Sequence, residues 1–475
     1  MFSKDSLKLK IQTAVTVALI ASGIIPAVQA EVTDLSVDNP SGTTITNGST
    51  SYAVDLDSGG PYTVINAGTI STVKATSTIS AIEIDEVAVT TLTNTGTMSA
   101  ETVRSGAFGI HSYTYNDTTS ITTLTNSGTI SGESGIDNGN GIWLETYYAD
   151  NSITTLTNSG TISGEAGNSL GYGVRLSSYN ADASITTLTN TATISGSAGT
   201  DGYGVYLYSY DADASITTLT NSGTISGEAG TDGYGIYLYT GHPGSGNSTI
   251  TNLTNKGTIS GSTYDIWNKD EDIINFNNQQ GKDGNDVLTY NGKLPTNYNV
   301  IVNSTSDYGQ ASFTGESGTT NFGVSSSSTF SGSTTYASVI SGLATGYIGA
   351  TRSGTVGGYS WELVLQTGQT DIWDLVITSS RTGYSSRIST GKRSNIAAIL
   401  EAINTAGSNS ALTSALDGLS DASLNIALSQ IEGVTIKSVN GQSFKKHSSF
   451  KRAVSSALSG PSVNSLTKNN YASLS

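Results

Sequence analysis

An asparagine closes the tripeptide Leu-Thr-Asn at positions 94, 126, 158, 190, 221 and 255, so the same sentence recurs after 32, 32, 32, 31 and 34 residues. A weaker copy, "TVINAGTIS", places Asn66 a shorter 28 residues ahead of Asn94, which makes seven units. A unit this short cannot bury its own apolar face. Regular self-similarity at this period therefore demands that neighbouring units stack on one another.

Each unit divides into three β-prone pieces: "ITTLTN", then "GTISG" after a tight corner, then "YGIYLY" after a Gly- and Asp-rich loop. Threonine, isoleucine and tyrosine suit a pleated surface, and Asn-Ser-Gly suits a corner. None of the three pieces has a helical period. Three strands and three corners make one coil, and the expected fold is all-β: a right-handed parallel β-solenoid (β-helix) with about seven recognisable coils. Coils stack about 4.8 Å apart, so columns of equivalent residues can be read from the repeats. One column is Val64, Leu92, Leu124, Leu156, Leu188, Leu219 and Leu253; a second is Ile70, Met98, Ile130, Ile162, Ile194, Ile225 and Ile259; a third is Ile110, Ile142, Val174, Val205, Ile236 and Ile266. These predict three walls of one narrow core. The asparagines should stack along a corner as an amide ladder.

The chain opens with the basic leader "MFSKDSLKLK", the apolar run "IQTAVTVALIASGIIPA" and a small-residue site ending at Ala30, which together predict a removable signal peptide over residues 1–30. No later segment is apolar enough to cross a bilayer as a helix. There is no cysteine, so disulfides, thiolate nucleophiles and cysteine metal sites are excluded. From Glu31 to Thr378 there are 8 Lys+Arg against 32 Asp+Glu, a net of −24; from Ser379 onward 10 stand against 4, a net of +6. An acidic, tyrosine-rich body argues against nucleic acid as a partner, because phosphate contacts need a basic surface.

The repetitive solenoid is expected over residues 31–274. β patterning then continues irregularly over 275–378, with a cap between Tyr347 and Thr378 where Trp361 and Trp373 can cover the open end. Helical spacing appears only within 379–433, in "SNIAAILEAINTA" and "SALTSALDGLSDASLNIALSQIEG", with Ser394 and Ser420 as N-caps and Gly433 as the stop. Residues 434–475 are Ser- and Lys-rich with little pattern, and weak order is expected there. The leader, the tandem "TNSGTISG" coils, the aromatic stretch "GGYSWELVLQTGQTDIWDLVI", and "NIAAILEAIN" with "LSDASLNIALSQIEG" together resemble the passenger and linker of Gram-negative autotransporters, over residues 1 to about 450. The resemblance implies a surface-exposed or secreted passenger carried by a C-terminal twelve-stranded outer-membrane β-barrel. Twelve strands of about nine to eleven residues each do not fit into the 42 residues after Gly433. The barrel translocator is thus expected as a partner outside this chain, and a truncated, non-functional remnant is one alternative reading.

Signals for chemistry are sparse. "DSGG" at Asp57–Gly60 looks like a serine-protease nucleophile loop, but His111, His242 and His447 lie in different regions and none precedes it; a turn before Pro61 is the better reading. "GKDGNDVL", Gly281 to Leu288, is one copy of a calcium-binding nonapeptide whose ligands must come from several coils. Asp201, Asp232, Asp211 and Asp213 recur at coil spacing in loops. A polysaccharide lyase or hydrolase needs carboxylates gathered with a cation, and between Glu31 and Asn255 the only lysines or arginines are Lys74, Arg104 and Arg175. The expectation is therefore no enzyme, cofactor or metal, with a solenoid polysaccharide-active enzyme as the other alternative.

If Ile236 and Leu238 point inward, Tyr237 and Tyr239 point outward. The same logic gives an outer column of His111, Trp143, Arg175, Tyr206, Tyr237 and Trp267, beside Tyr113, Glu145, Ser177, Tyr208, Tyr239 and Lys269. Trp143, Tyr206, Tyr208, Tyr237, Tyr239 and Trp267 are the candidate site. Two readings stand: the rings shield the sheet and strengthen coil pairing, or they bind carbohydrate or a protein on a host or neighbouring cell. The expected role is structural or adhesive.

Overall fold

The computed structural model describes residues 28–29, 36–46, 51–242, 246–282, 286–330 and 332–379, with eight residues scattered between Ile396 and Leu428. Apart from Val28 and Gln29, which pair with Ile45 and Thr46, the expected signal segment lies outside the described residues, as does the tail 434–475.

The chain winds as a parallel β-solenoid. In a central coil, Ala183–Asn190 lies on one wall, Thr193–Ala198 on the next and Asp201–Ser209 on the third, and Ala214–Asn221 then begins the coil above. The three walls are sheets of 11, 9 and 14 strands, respectively. Like stacks on like: Leu156 pairs with Leu188, Ile162 with Ile194, and Val174 with Val205.

All three predicted columns are buried, Leu124, Leu156 and Leu188 among them at 0 % exposure. Two further columns share the core, one through Ile121, Ile153, Ile185, Ile216 and Ile250, the other through Leu144, Leu176, Leu207 and Leu238. Each such side chain contributes about 1.5–3 kcal/mol relative to an exposed one, and five per coil supply the drive for stacking.

The asparagine column is a continuous amide ladder and is fully buried. Each Nδ2 donates to the Oδ1 of the next coil, at 2.7 Å from Asn39 to Asn66, 2.8 Å from Asn126 to Asn158 and from Asn158 to Asn190, and 2.9 Å from Asn221 to Asn255. The second hydrogen of each amide goes to a backbone carbonyl, as from Asn158 to Thr193 O at 2.8 Å. The corner amides are therefore satisfied without water.

The ladder runs through nine asparagines, Asn39 to Asn278, so the solenoid has about nine regular turns where the repeats alone show seven. The added first coil is Ser36–Asn39, Thr44–Thr46 and Tyr52–Leu56, whose sequence keeps the asparagine and little else of the motif. Stacking also continues past Asn275. Asp272–Asn278 pairs in register with the strand below, and Asn297–Val300 and Asn321–Val324 follow. The second sheet ends at Thr258–Gly261, and larger side chains fill the altered cross-section: Phe276, Tyr298 and Phe322 continue the leucine column, while Tyr290 and Phe313 continue the Ile266 column.

Antiparallel strands Ser353–Val356, Tyr359–Leu365 and Trp373–Ser379 close the end. Trp361 packs edge-on against Phe322 at 5.5 Å, and the Trp373 indole donates to Leu343 O at 2.6 Å. The exposed end of a solenoid is an unpaired edge, and these tryptophans cover it. The eight described residues between 396 and 428 are all α-helical, and Ala397, Leu400, Leu416, Leu424 and Leu428 are buried.

Candidate functional site

The outer surface of the 14-stranded sheet carries the six candidate residues in the expected register. His111 pairs with Trp143, Trp143 with Arg175, Arg175 with Tyr206, Tyr206 with Tyr237 and Tyr237 with Trp267; Tyr208 pairs with Tyr239, and Tyr239 with Lys269. Their strand neighbours Val205, Leu207, Ile236 and Leu238 are in the core.

The stripe is less open than simple alternation implies. Tyr206 and Tyr237 are only 9 % and 8 % exposed, because their rings stack on one another at 5.3 Å and 6°. Trp143, Tyr208, Tyr239 and Trp267 are partly exposed. A third aromatic column completes the cover: Tyr172, Tyr203 and Tyr234 form, with Tyr206 and Tyr237, a small cluster separate from the main core. Tyr203 lies two residues before inward-facing Val205 and should also face inward. The strand bends at Gly204 instead. A Cβ there would lie 2.6 Å from Ile225 Cγ2 and from Gly235 O, so Gly204 itself faces the core and turns Tyr203 outward, 4.9 Å from the Tyr206 ring. Burial pushes the Tyr172, Tyr203, Tyr206, Tyr234 and Tyr237 phenols up, so they stay neutral at physiological pH.

At the N-terminal end the column is ionic. His111 Nδ1 lies 2.8 Å from Glu83 Oε1 and its Nε2 lies 3.2 Å from Glu145 Oε2, all three residues being buried. Burial alone would remove the imidazole proton, but the two carboxylates outweigh it and push His111 up to about 10. Ser80 donates to the other Glu83 oxygen at 2.7 Å. The triad joins three coils: Glu83 stands beside His111 in the ladder, and Glu145 lies one coil further on. Both ring nitrogens are engaged, which leaves no free base. The charged imidazole stacks on Trp143 at 4.7 Å, and the Arg175 guanidinium lies 4.4 Å from the same ring. From His111 to Trp267 the column is one stack of alternating cations and rings, then rings alone.

Other sequence signals resolve into turns. Asp57–Gly60 is a loop in which the Tyr62 hydroxyl donates to Ser58 O, and Gly59 and Gly60 adopt φ of 93° and 95°. Residues 283–285 of the nonapeptide-like stretch lie outside the described residues. Asp211 pairs with His242 at 2.6 Å, Asp213 accepts from Asn247 N at 2.9 Å, and Asp201 accepts from the Tyr203 hydroxyl at 3.3 Å. Among the described residues no three His, Asp or Glu side chains group so as to hold a metal ion.

Fold and surface define the class: a parallel β-solenoid with a uniform interior and one aromatic outer wall. No protein-family model matches the chain, and neither a curated protein nor a solved structure shows significant similarity to it.

Proposed function

We propose that the chain is an exported β-solenoid of autotransporter-passenger type, structural and adhesive in role and without catalysis, displaying the third sheet to a carbohydrate or to a protein on another cell surface. The observation that carries the adhesive part is the contrast between walls. The outer positions of the first two sheets repeat small polar residues and glutamates, as in Thr155, Thr187 and Thr218, or Glu133 and Glu165, whereas those of the third gather rings. Partly exposed Trp143, Tyr208, Tyr239 and Trp267 offer ring edges, hydroxyls and indole N–H groups of the kind that recognise glycans and protein surfaces. The closed Glu83–His111–Glu145 triad supports a role without catalysis.

The test is adhesion of cells or beads displaying the protein. Replacing Tyr208 and Tyr239 together with Ser is expected to weaken adhesion at unchanged thermal midpoint. Parent-level adhesion by this variant and by Trp267→Ser would refute the reading. Export is tested separately by N-terminal sequencing of the fractionated protein, with cleavage expected after Ala30.

A further inference from the structure

Arg175 is the only lysine or arginine between Arg104 and Lys256, a run of six coils in a strongly acidic body. Its surroundings are not those of a solvated surface charge. The guanidinium is flanked by Trp143 at 4.4 Å, Tyr172 at 4.7 Å and Tyr206 at 5.9 Å, and its Nε donates to Ser177 Oγ at 3.0 Å. The Trp143 indole donates to the same hydroxyl at 3.2 Å, which locks the two groups together. Among the described residues no carboxylate lies within ion-pair distance, and neither terminal nitrogen has a hydrogen-bond partner. The nearby carboxylate of Glu145 is committed to His111.

A guanidinium donates only in its own plane. With rings on both faces and Nε tied down, its two terminal NH2 groups form a fixed outward fork, the geometry that takes a carboxylate in two parallel bonds. A second observation comes from Asn140, fully buried one coil below Tyr172 and three residues before Trp143. Neither its amide nitrogen nor its amide oxygen has a partner within the protein. Partly exposed Tyr179 and Tyr208 stand close enough to feel the charge: burial pushes their phenols up and Arg175 opposes the shift.

We infer that Arg175 anchors a binding site for an acidic sugar, a pyranose bearing a single carboxylate, held in the plane of the guanidinium with Tyr179 and Tyr208 alongside. Charge decides between anions. One carboxylate meets one cation, whereas a polyanion would lay its remaining charges against a body of net −24 over residues 31–378 (8 − 32). The inference rests on the proposed adhesive reading of this wall and names its ligand class.

The experiment measures binding of the whole chain to 3′-sialyllactose and to a hyaluronan tetrasaccharide, each against its neutral counterpart, lactose or chitotetraose, with a heparin tetrasaccharide as polyanion. The expected result is at least about tenfold tighter binding of one acidic probe than of its neutral partner, as loss of a bidentate charged pair implies. Arg175→Gln should remove that preference while leaving the neutral probe unchanged, and Arg175→Lys should not restore it. The methyl ester of the preferred probe should bind wild-type protein about as weakly as the neutral sugar, a result that needs no variant to fold. The two acidic probes distinguish a sialate from a uronate. Binding of the ester as tight as the acid, heparin as tight as the monocarboxylate, or an unchanged preference in Arg175→Gln overturns the inference. Neutral and acidic probes bound alike by wild type would sink the acidic-sugar site and leave the adhesive reading standing; no binding of any probe together with failed adhesion would sink both.

Discussion

Asn158 is the rung at which the ladder can be tested with one atom. Its Nδ2 donates to Asn190 Oδ1 and to Thr193 O, both at 2.8 Å, and its Oδ1 accepts from Asn126 Nδ2 at 2.8 Å. Asn158→Asp keeps the shape and the acceptor but turns a second acceptor toward two carbonyl oxygens. Two buried acceptors lose their donor, at about 1–3 kcal/mol each. The carboxylate is buried with no cation, so the total should reach about 4 kcal/mol or more at pH 7. Burial and the facing carbonyls raise the folded-state pKa of this Asp above its unfolded value of about 3.9. The sign follows: the penalty is absent below about pH 3.9, where the protonated acid can donate to Asn190, and it grows as pH rises through the folded-state pKa. The assay is urea unfolding of variant and parent at pH 4 and pH 7, with limited proteolysis to locate opening near the altered coil. A variant within about 1 kcal/mol of the parent at pH 7, or a deficit equal at both pH values, would refute the buried ladder.

Replacing Trp143, Tyr206 and Tyr237 together with Ser should lower the thermal midpoint, since each ring pair contributes about 0.5–1.5 kcal/mol; an unchanged midpoint would mean the rings do not stack. The His111 ion pairs stabilise the fold fully below about pH 6.5 and lose that effect as pH rises through about 10, so the midpoint deficit of His111→Gln should shrink from pH 6 toward pH 10, and a flat deficit would contradict the triad. Gly204→Ala should destabilise by about 1–3 kcal/mol through overpacking against Ile225 and Gly235, and should disturb the near-ultraviolet dichroism of the tyrosine cluster; a neutral variant would show that the strand does not bend there.

The interior was legible because it repeats. Leu156 and Leu188 are the same letter at the same step, so column and burial follow together. The first coil was hidden because Asn39 is followed by Pro40 and lacks the Leu-Thr before it, leaving only the amide to mark its place. Tyr172, Tyr203 and Tyr234 were missed because alternation was carried through a glycine that breaks it. The ion triad was missed for another reason: Glu83, His111 and Glu145 lie 28 and 34 residues apart and share no letter, so no self-comparison aligns them. Identity between coils reveals what is shared, and the outer wall is built from what is not.

The amide ladder points one way, each rung donating toward the next coil, and any rung can therefore follow any other. Excising residues 159–190 would join Asn158 to Thr191 and set Asn158 directly beneath Asn221, with every leucine and isoleucine column still meeting its own kind. The gene can lengthen or shorten by whole units through unequal recombination between near-identical segments while the product still folds. That same excision would carry away Tyr172, Arg175, Ser177 and Tyr179. Inheritance of the scaffold and inheritance of what the scaffold displays are thus uncoupled, and variants of different length would share a backbone while presenting different surfaces.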